Sequence, residues 1–313
     1  APGARLPSIR RLAETMHVSK STVVEAYDRL VAEGIIQSRR GAGFYVSDRA
    51  RQPFTLADVA PHKDRQIDPF WVMRQSLEAE SKTYKPGCGW LPDEWLPLEG
   101  IRRAMRTIAR DEDSNLVAYG EPLGFRPLRN HLARRLSEQG IDISGGDILL
   151  TDSGTHAIDL ICRFLLQPGD TVLVDDPCYF NFQASLLSHR VKLIGIPYTQ
   201  TGPDLEAFAN AAAEHAPKLY ISNAGLHNPT GGTMAPATAH RLLKLAELHD
   251  IKLVEDNIFG DFHPSPTPLL AELDGFDRVL HNGSFSTTLS AAARYGNIPG
   301  RRDWVDGLTH LKP

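Results

Sequence analysis

Apolar residues recur at helical spacing at Ile9, Leu12, Ala13 and Met16, which predicts a first helix with Ser8 as its N-cap. His17-Val18-Ser19 reads as a short turn. Ser19 then caps a second helix whose apolar side is Val23, Val24, Tyr27, Leu30 and Val31, and Gly34 stops it. The pattern next shortens to two strands, Ile35-Ile36-Gln37-Ser38 and Phe44-Tyr45-Val46-Ser47, joined by the basic, glycine-rich turn Arg39-Arg40-Gly41-Ala42-Gly43. From Asp48 to about Gln66 the periodicity breaks: Pro53 and Pro61 alternate with isolated Phe54, Leu56 and Val59, as in a linker.

Residues 67–138 are expected to be mostly helical. A helix leads from Asp68-Pro69-Phe70-Trp71 to about Lys82, a short one covers Ile101 to Ala109, and another covers Pro127 to Ser137. Between the first two lies an irregular arm, Pro86 to Pro97, whose two tryptophans suggest docking. A repeating order follows. Apolar strands are expected at Asp147–Thr151, Thr171–Asp175, Val191–Ile196, Lys218–Asn223, Lys252–Glu255 and Arg278–Leu280, with helices at 155–166, 180–188, 204–214 and 235–249 between most of them. Val-, Leu- and Ile-rich strands alternating with amphipathic helices predict an α/β fold with a mainly parallel sheet covered on both faces. Ligands bind such sheets beyond the carboxyl ends of the strands.

Composition adds modest bounds. The chain has 313 residues and a net charge of -4, so no global field draws it to nucleic acid or membrane. Residues 1–48 nevertheless carry seven Lys/Arg against five Asp/Glu, and the remainder 27 against 33. The N-terminal part is the better partner for an anionic polymer. Helix, short turn, helix and basic hairpin is the plan of a winged helix-turn-helix, with Lys20, Ser21 and Thr22 facing base edges and Arg39 and Arg40 at the backbone or minor groove. A small helical domain with a charged hairpin fits the same pattern. Cys88, Cys162 and Cys178 form no metal spacing or disulfide framework, the histidines show no metal-binding pattern, and no apolar run reaches about 18 residues. No metal and a cytoplasmic setting are expected.

The strand ends carry the candidate chemistry. Ser153-Gly154-Thr155 opens a helix and suits an anion, or serves only as an N-cap. Tyr179 can stack on a flat ring or pack in the core, and Asn228 can bond a ligand oxygen or sit in a plain loop. Asp256, if buried, needs a cationic or protonated partner, which a pyridinium nitrogen or a structural salt bridge would supply. Ser284 and Arg294 frame Ser284-Phe285-Ser286-Thr287-Thr288-Leu289-Ser290, where hydroxyls and a guanidinium suit an anionic ligand or form a solvated loop feeding a helix.

Two resemblances sharpen this. Leu6-Pro7-Ser8-Ile9-Arg10-Arg11-Leu12-Ala13, Val18-Ser19-Lys20-Ser21-Thr22-Val23, Ala26-Tyr27-Asp28-Arg29-Leu30, Glu33-Gly34 and Gly41-Ala42-Gly43-Phe44-Tyr45-Val46 resemble the GntR-type winged-helix signature over residues 1 to about 48. The resemblance implies that Arg10, Lys20, Ser21, Thr22 and the wing touch DNA. Lys20 and Val24 stand where many members have Arg. Over 67–313, the series Tyr119, Ser153-Gly154-Thr155, Asp176-Pro177 with Tyr179, Asn228-Pro229-Thr230-Gly231, Asp256, Ser284 and Arg294 resembles fold type I aminotransferases. It implies a pyridoxal 5′-phosphate site: Ser153, Gly154, Thr155, Ser284 and Arg294 on the phosphate, and Tyr119 joining them from a neighbouring subunit. Tyr179 would stack on the ring, Asn228 would meet the ring oxygen, and Asp256 the ring nitrogen.

Two positions depart from that series. Thr287 stands where the family has the Schiff-base lysine, and Phe259 where it commonly has Tyr. No catalytic residue is therefore assigned, and covalent attachment through Thr287 is excluded because a hydroxyl cannot form an imine. The chain is also expected to be a fragment, beginning after the family's first helix and ending before the small C-terminal domain. A winged helix (1–48), a linker (49–66) and an aminotransferase-like domain (67–313) together resemble MocR-type regulators of the GntR superfamily. The implied function is a homodimeric DNA-binding transcriptional regulator whose domain senses the cofactor, an amine or an amino acid. An aminotransferase with an appended DNA module and a non-functional remnant remain as alternatives.

Overall fold

The computed structural model describes residues 3–32, 34–39, 41–47, 71, 74, 78, 90–110, 119–262 and 269–312. Arg40, Cys88, the expected linker, most of the expected helix to Lys82 and the start of the arm lie outside the described residues. The chain divides into two compact units, Ala1–Gln66 and Ile67–Pro313.

In the first unit, α1 (Ile9–Met16) starts where Ser8 Oγ accepts the Arg11 N–H at 3.3 Å and ends at His17 in the left-handed region. Helix α2 (Lys20–Ala32) starts where Ser19 Oγ accepts the Thr22 N–H at 3.1 Å. Strands β1 (Ile36–Arg39) and β2 (Gly43–Val46) pair antiparallel. Gly34, at φ +71°, makes the turn between α2 and β1. Ala13, Val23, Tyr27 and Ile36 form the buried core, with Leu6, Ile9, Leu12, Leu30 and Phe44 packed on it. Tyr27 meets Phe44 edge-on at 4.7 Å and donates its hydroxyl to the Pro7 carbonyl at 2.8 Å. Met16, Val24 and Val31, which periodicity placed on the apolar sides, are exposed. Ile35 is also exposed and lies before β1.

In the second unit Trp71, Arg74 and Glu78 are helical, within the helix expected to Lys82; further on lie α3 (Leu98–Ile108), which begins three positions before the expected Ile101, and α4 (Arg126–Glu138). Then come β3 (Ile148–Thr151), α5 (Gly154–Leu165), β4 (Thr171–Asp176), α6 (Phe180–Ser188), β5 (Lys192–Thr199), β6 (Gly202–Pro203) and α7 (Leu205–His215). The chain continues through β7 (Leu219–Ser222), α8 (Pro236–Leu248), β8 (Lys252–Asp256), α9 (Leu270–Asp274), β9 (Val279–Ser284), β10 (Gly296–Pro299) and α10 (Arg302–Leu311). Among the described residues the strands form one sheet in the order β3-β10-β9-β8-β7-β4-β5-β6. The central pairs are parallel, whereas β10 runs antiparallel to both neighbours and β6 antiparallel to β5.

Strand side chains alternate between faces, and here both faces are covered. Ile148, Leu150, Leu173, Tyr220, Leu253 and Val279 pack with α4, α7, α8 and α9. Their neighbours Leu149, Val172, Val174, Leu219, Ile221, Val254 and Leu280 pack with α5, α6 and α10. That is why the strands read as continuous apolar runs. Strand β9 extends past its apolar start through His281 and Asn282, both buried. Strand β10, with glycine and proline at its ends, shows no such run.

Phe208 on α7 is fully buried and meets Tyr220 edge-on at 5.2 Å. Phe208→Ala is expected to destabilise the second unit by about 3–5 kcal/mol, as a large side chain leaves a cavity in a packed core. Urea denaturation of the full chain checks this; a loss under about 1 kcal/mol contradicts the packing described.

Candidate functional site

The carboxyl ends of β3, β4, β7, β8 and β9 lie along one edge of the sheet, and the segments beyond them converge on a cavity of about 680 Å³. Ser153, Gly154 and Thr155 line it from the start of α5. Ser153 caps this helix, its Oγ accepting the His156 N–H at 3.0 Å. The remaining first-turn N–H groups have no intrahelical partner and are free to donate to an anion. Strand β10 sets this loop: a Cβ on Gly296 would lie 2.4 Å from the Ser153 carbonyl carbon, so only glycine permits the approach.

Asp256, at the end of β8, forms the polar floor. It is 3% exposed and forms no ion pair with a described residue. Asn223 Nδ2 donates to its Oδ2 and Asn282 Nδ2 to its Oδ1, each at 2.7 Å. Burial pushes its carboxyl up to about 6, against the lowering effect of the two amides and the nearby His281; Glu255 adds to the rise. Asn282 also lines the cavity, and its Oδ1 is buried without a partner. Asn223 and Asn282 were not anticipated from the sequence; the only signal was a polar residue inside or just after an apolar strand.

Asn228 and Pro229 line the cavity across a cis peptide bond. A buried cluster holds their loop. Tyr220 donates its hydroxyl to Asp175, the Asn223 N–H donates to Asp175 Oδ2 at 3.2 Å, and His227 Nε2 lies 3.3 Å from the same oxygen. The His227 ring stacks on Tyr198 at 3.6 Å. Asp175 and His227 were not anticipated either, although an Asp within an apolar strand was a visible signal.

Tyr179 precedes α6, lines the cavity and meets Phe180 and Phe182 edge-on. Ser284, Ser286 and Thr287 line it from β9 onward, with Ser284 Oγ donating to the Tyr295 carbonyl at 2.8 Å and accepting the Ser286 N–H at 3.1 Å. Phe259 and Trp90 add apolar wall. Two expected residues are not brought in. Tyr119 is fully exposed and Arg294 is exposed at φ 44°, and neither lines the cavity. Trp95, expected to dock, is 70% exposed. Among the described lining residues Asp93 and Asp256 are acidic, and none is Lys, Arg or His.

In the first unit Arg10, Lys20, Ser21, Thr22 and Arg39 are exposed. The Ser21 and Thr22 hydroxyls lie 2.6 and 2.8 Å from Ser19 Oγ, so one N-cap orders the start of α2. The Arg39 guanidinium sits 4.7 Å over the Tyr45 ring. No group of acidic, His and Cys residues suited to a metal occurs among the described residues.

Residues 92–313 match the aminotransferase class I and II family. The chain belongs to this family. Residues 1–46 of this aminotransferase-family chain match the gntR family of bacterial regulatory proteins. Similar curated proteins include the uncharacterized HTH-type transcriptional regulators YjiR of Escherichia coli (31% identical, 99% of this chain and 67% of that one) and YdfD of Bacillus subtilis (30%, 99% and 66%). The probable rhizopine catabolism regulatory protein MocR of Rhizobium meliloti is 28% identical over 98% of this chain and 63% of its own. The chain thus spans about two thirds of these relatives or somewhat less. Among solved structures, kynurenine aminotransferase of Pyrococcus horikoshii superposes with a TM-score of 0.71 at 26% identity, over 80% of this chain and 63% of that one. The arrangement is that of MocR-type regulators: a GntR helix-turn-helix joined to an aminotransferase class I/II domain.

Because the folded pKa of Asp256 lies above the unfolded value of about 4, its contribution to stability is full below about pH 4 and is lost as pH rises through about 6. Asp256→Asn removes this loss, and the new amide can donate to the unpartnered Asn282 Oδ1 if Asn282 flips. The ligand-free variant is expected to gain on the unchanged protein as pH rises from 4.5 to 7.5. Thermal denaturation at both pH values checks this; a pH-independent difference refutes the assignment.

Proposed function

We propose that this chain is a DNA-binding transcriptional regulator whose aminotransferase-like domain binds a phosphorylated pyridine cofactor as effector or effector-binding group. The observation carrying the proposal is a basic, hydroxyl-bearing helix start in one unit together with a buried, cation-free Asp256 at the floor of a cavity in the other. The N-terminal turn of α2 would enter the major groove, with Lys20, Ser21 and Thr22 at base edges; Arg10, Arg39 and Arg40 would meet the backbone or minor groove. No described helix is long and apolar enough to cross a membrane, and a cytoplasmic, homodimeric state suits access to a two-fold operator.

The lining fits pyridoxal 5′-phosphate. Ser153, Gly154, Thr155 and Ser284 would hold the phosphate, joined by Arg294 and by Tyr119 of a second copy after movement into reach. Asp256 would hold a proton at the ring nitrogen, which accounts for a carboxylate buried without an ion pair among the described residues. Asn228 would bond the ring oxygen and Tyr179 would flank the ring. When bound, the cofactor supplies an electron-withdrawing ring and an aldehyde carbon. Among the described residues the lining gives no primary amine to join it, and Thr287 stands at the position of the family's lysine. Turnover of an amino acid with a 2-oxoacid is therefore expected to be negligible. Effector binding would alter DNA affinity only through unequal affinity for two arrangements of the dimer.

The test is selection from a randomised duplex library with the full chain, followed by titration at two salt concentrations. One family of sequences is expected to be enriched, with affinity falling steeply as salt rises. Lys20→Ala combined with Thr22→Ala is expected to remove the enrichment, at about 1–3 kcal/mol for each base-edge interaction removed. Enrichment unchanged by the double substitution rejects this role for α2.

A further inference from the structure

We infer that the cavity selects the amine form of the phosphorylated cofactor, pyridoxamine 5′-phosphate or a conjugate of an amine with the pyridoxyl group, over the free aldehyde. The inference rests on the reading of the cavity as a phosphorylated pyridine site and goes further in naming the form bound. Its ground is the inventory of the lining. Among the described residues that face the cavity none is Lys, Arg or His, whereas Asp93 and Asp256 both carry carboxylates. An aldehyde entering this cavity meets no primary amine among the described lining residues with which to condense, so those residues give it no covalent retention. An amine entering it carries one more positive charge into a lining whose formal charge is negative. That charge is favoured by hydroxyl and amide oxygens able to accept from an ammonium. Ser286 and Thr287 present such hydroxyls and Asn228 such an amide, all three lining the same cavity.

Volume points the same way. Replacing a lysine-length side chain by Thr shortens the side chain by several atoms and leaves room beside Thr287. A cavity of about 680 Å³ lies within the range of small-molecule sites and exceeds what one pyridine ring with its phosphate fills. A substituent on the amine nitrogen, such as an amino acid joined through it, has space to lie there. The effector class is accordingly a pyridoxamine phosphate or its N-substituted conjugate, taken up ready-made and held without a covalent bond to the chain.

The experiment is calorimetric titration of the full chain with pyridoxamine 5′-phosphate and, separately, with pyridoxal 5′-phosphate, in a buffer free of primary amines. The amine form is expected to bind more tightly by about tenfold or more, the low end of what one hydrogen bond to a charged group contributes. Thr287→Lys is expected to reverse the order. The new amine condenses with the aldehyde carbon and releases water, and borohydride then delivers hydride to the carbon–nitrogen double bond, fixing the adduct as a mass increase on the chain. If the variant does not fold, the ratio measured on the unchanged chain decides alone. Equal or tighter binding of the aldehyde by the unchanged chain overturns this inference and leaves the cofactor site standing. Binding of neither form at concentrations up to about 1 mM overturns both.

Discussion

Asp256 is buried beside two amides and without an ion pair among the described residues, and much of the second unit is arranged around it. A carboxylate removed from water is costly unless hydrogen bonds or an opposite charge compensate. Here Asn223 and Asn282 supply the bonds from segments flanking its own strand: Asn223 directly follows β7, and Asn282 lies in β9. Parallel pairing brings the ends of these strands level, so the residue that needs compensation and the residues that give it are positioned by the same ladder. The neighbouring Glu255 points to the other face. There it accepts N–H groups at the start of α9 and pairs with His281 at 3.0 Å. Two adjacent acids on one strand thus have opposite fates: one closes a structural network, and the other keeps an unmet charge requirement toward the cavity.

A second buried network fixes the opposite wall. Asp175 gathers the Tyr220 hydroxyl, the Asn223 N–H and His227, and Tyr198 stacks on the imidazole. Asn223 belongs to both networks, through its backbone to Asp175 and through its side chain to Asp256. Displacing it would disturb the floor and the Asn228 wall together. Gly296 couples a third wall, because the sheet can bring β10 against Ser153 only where no Cβ intervenes. The cavity is therefore held by ladder, polar networks and one steric necessity.

The apolar runs made most of the sheet legible, because strands covered on both faces have little polar alternation to hide them. The same logic explains what was missed. Strand β9 continues through His281, Asn282 and Gly283, whose polarity ended the apparent run although the first two are buried with partners. Strand β10 is four residues with glycine and proline at its ends; its pairing comes from its neighbours, not from its own propensity. Caps were legible where a hydroxyl preceded a helix, at Ser8, Ser19 and Ser153, since that chemistry is local. Met16, Val24 and Val31 show the limit of periodicity: a small two-helix unit buries only a narrow stripe, and flanking apolar residues stay outside it. In the site, residues next to strand ends were legible individually. Asn223, Asn282, Asp175 and His227 were not, because their roles arise only when distant strands are side by side.

The position of Thr287 separates two properties that usually travel together. Pre-organisation of the cavity resides in backbone ladders, in the amide pair on Asp256 and in the cluster around Asp175, none of which involves residue 287. Covalent capture resides in one side chain on the segment after β9. Losing the second leaves the first unaltered, since Thr287 is half-buried on the lining and closes no described network. Binding of the proposed cofactor would then rest on complementarity alone, which would make it reversible on the time scale of dissociation instead of chemical exchange. For the regulator proposed above, that would be a gain in responsiveness: occupancy would follow ligand concentration directly, and a ligand can shift the balance between two arrangements by no more than its difference in affinity for them.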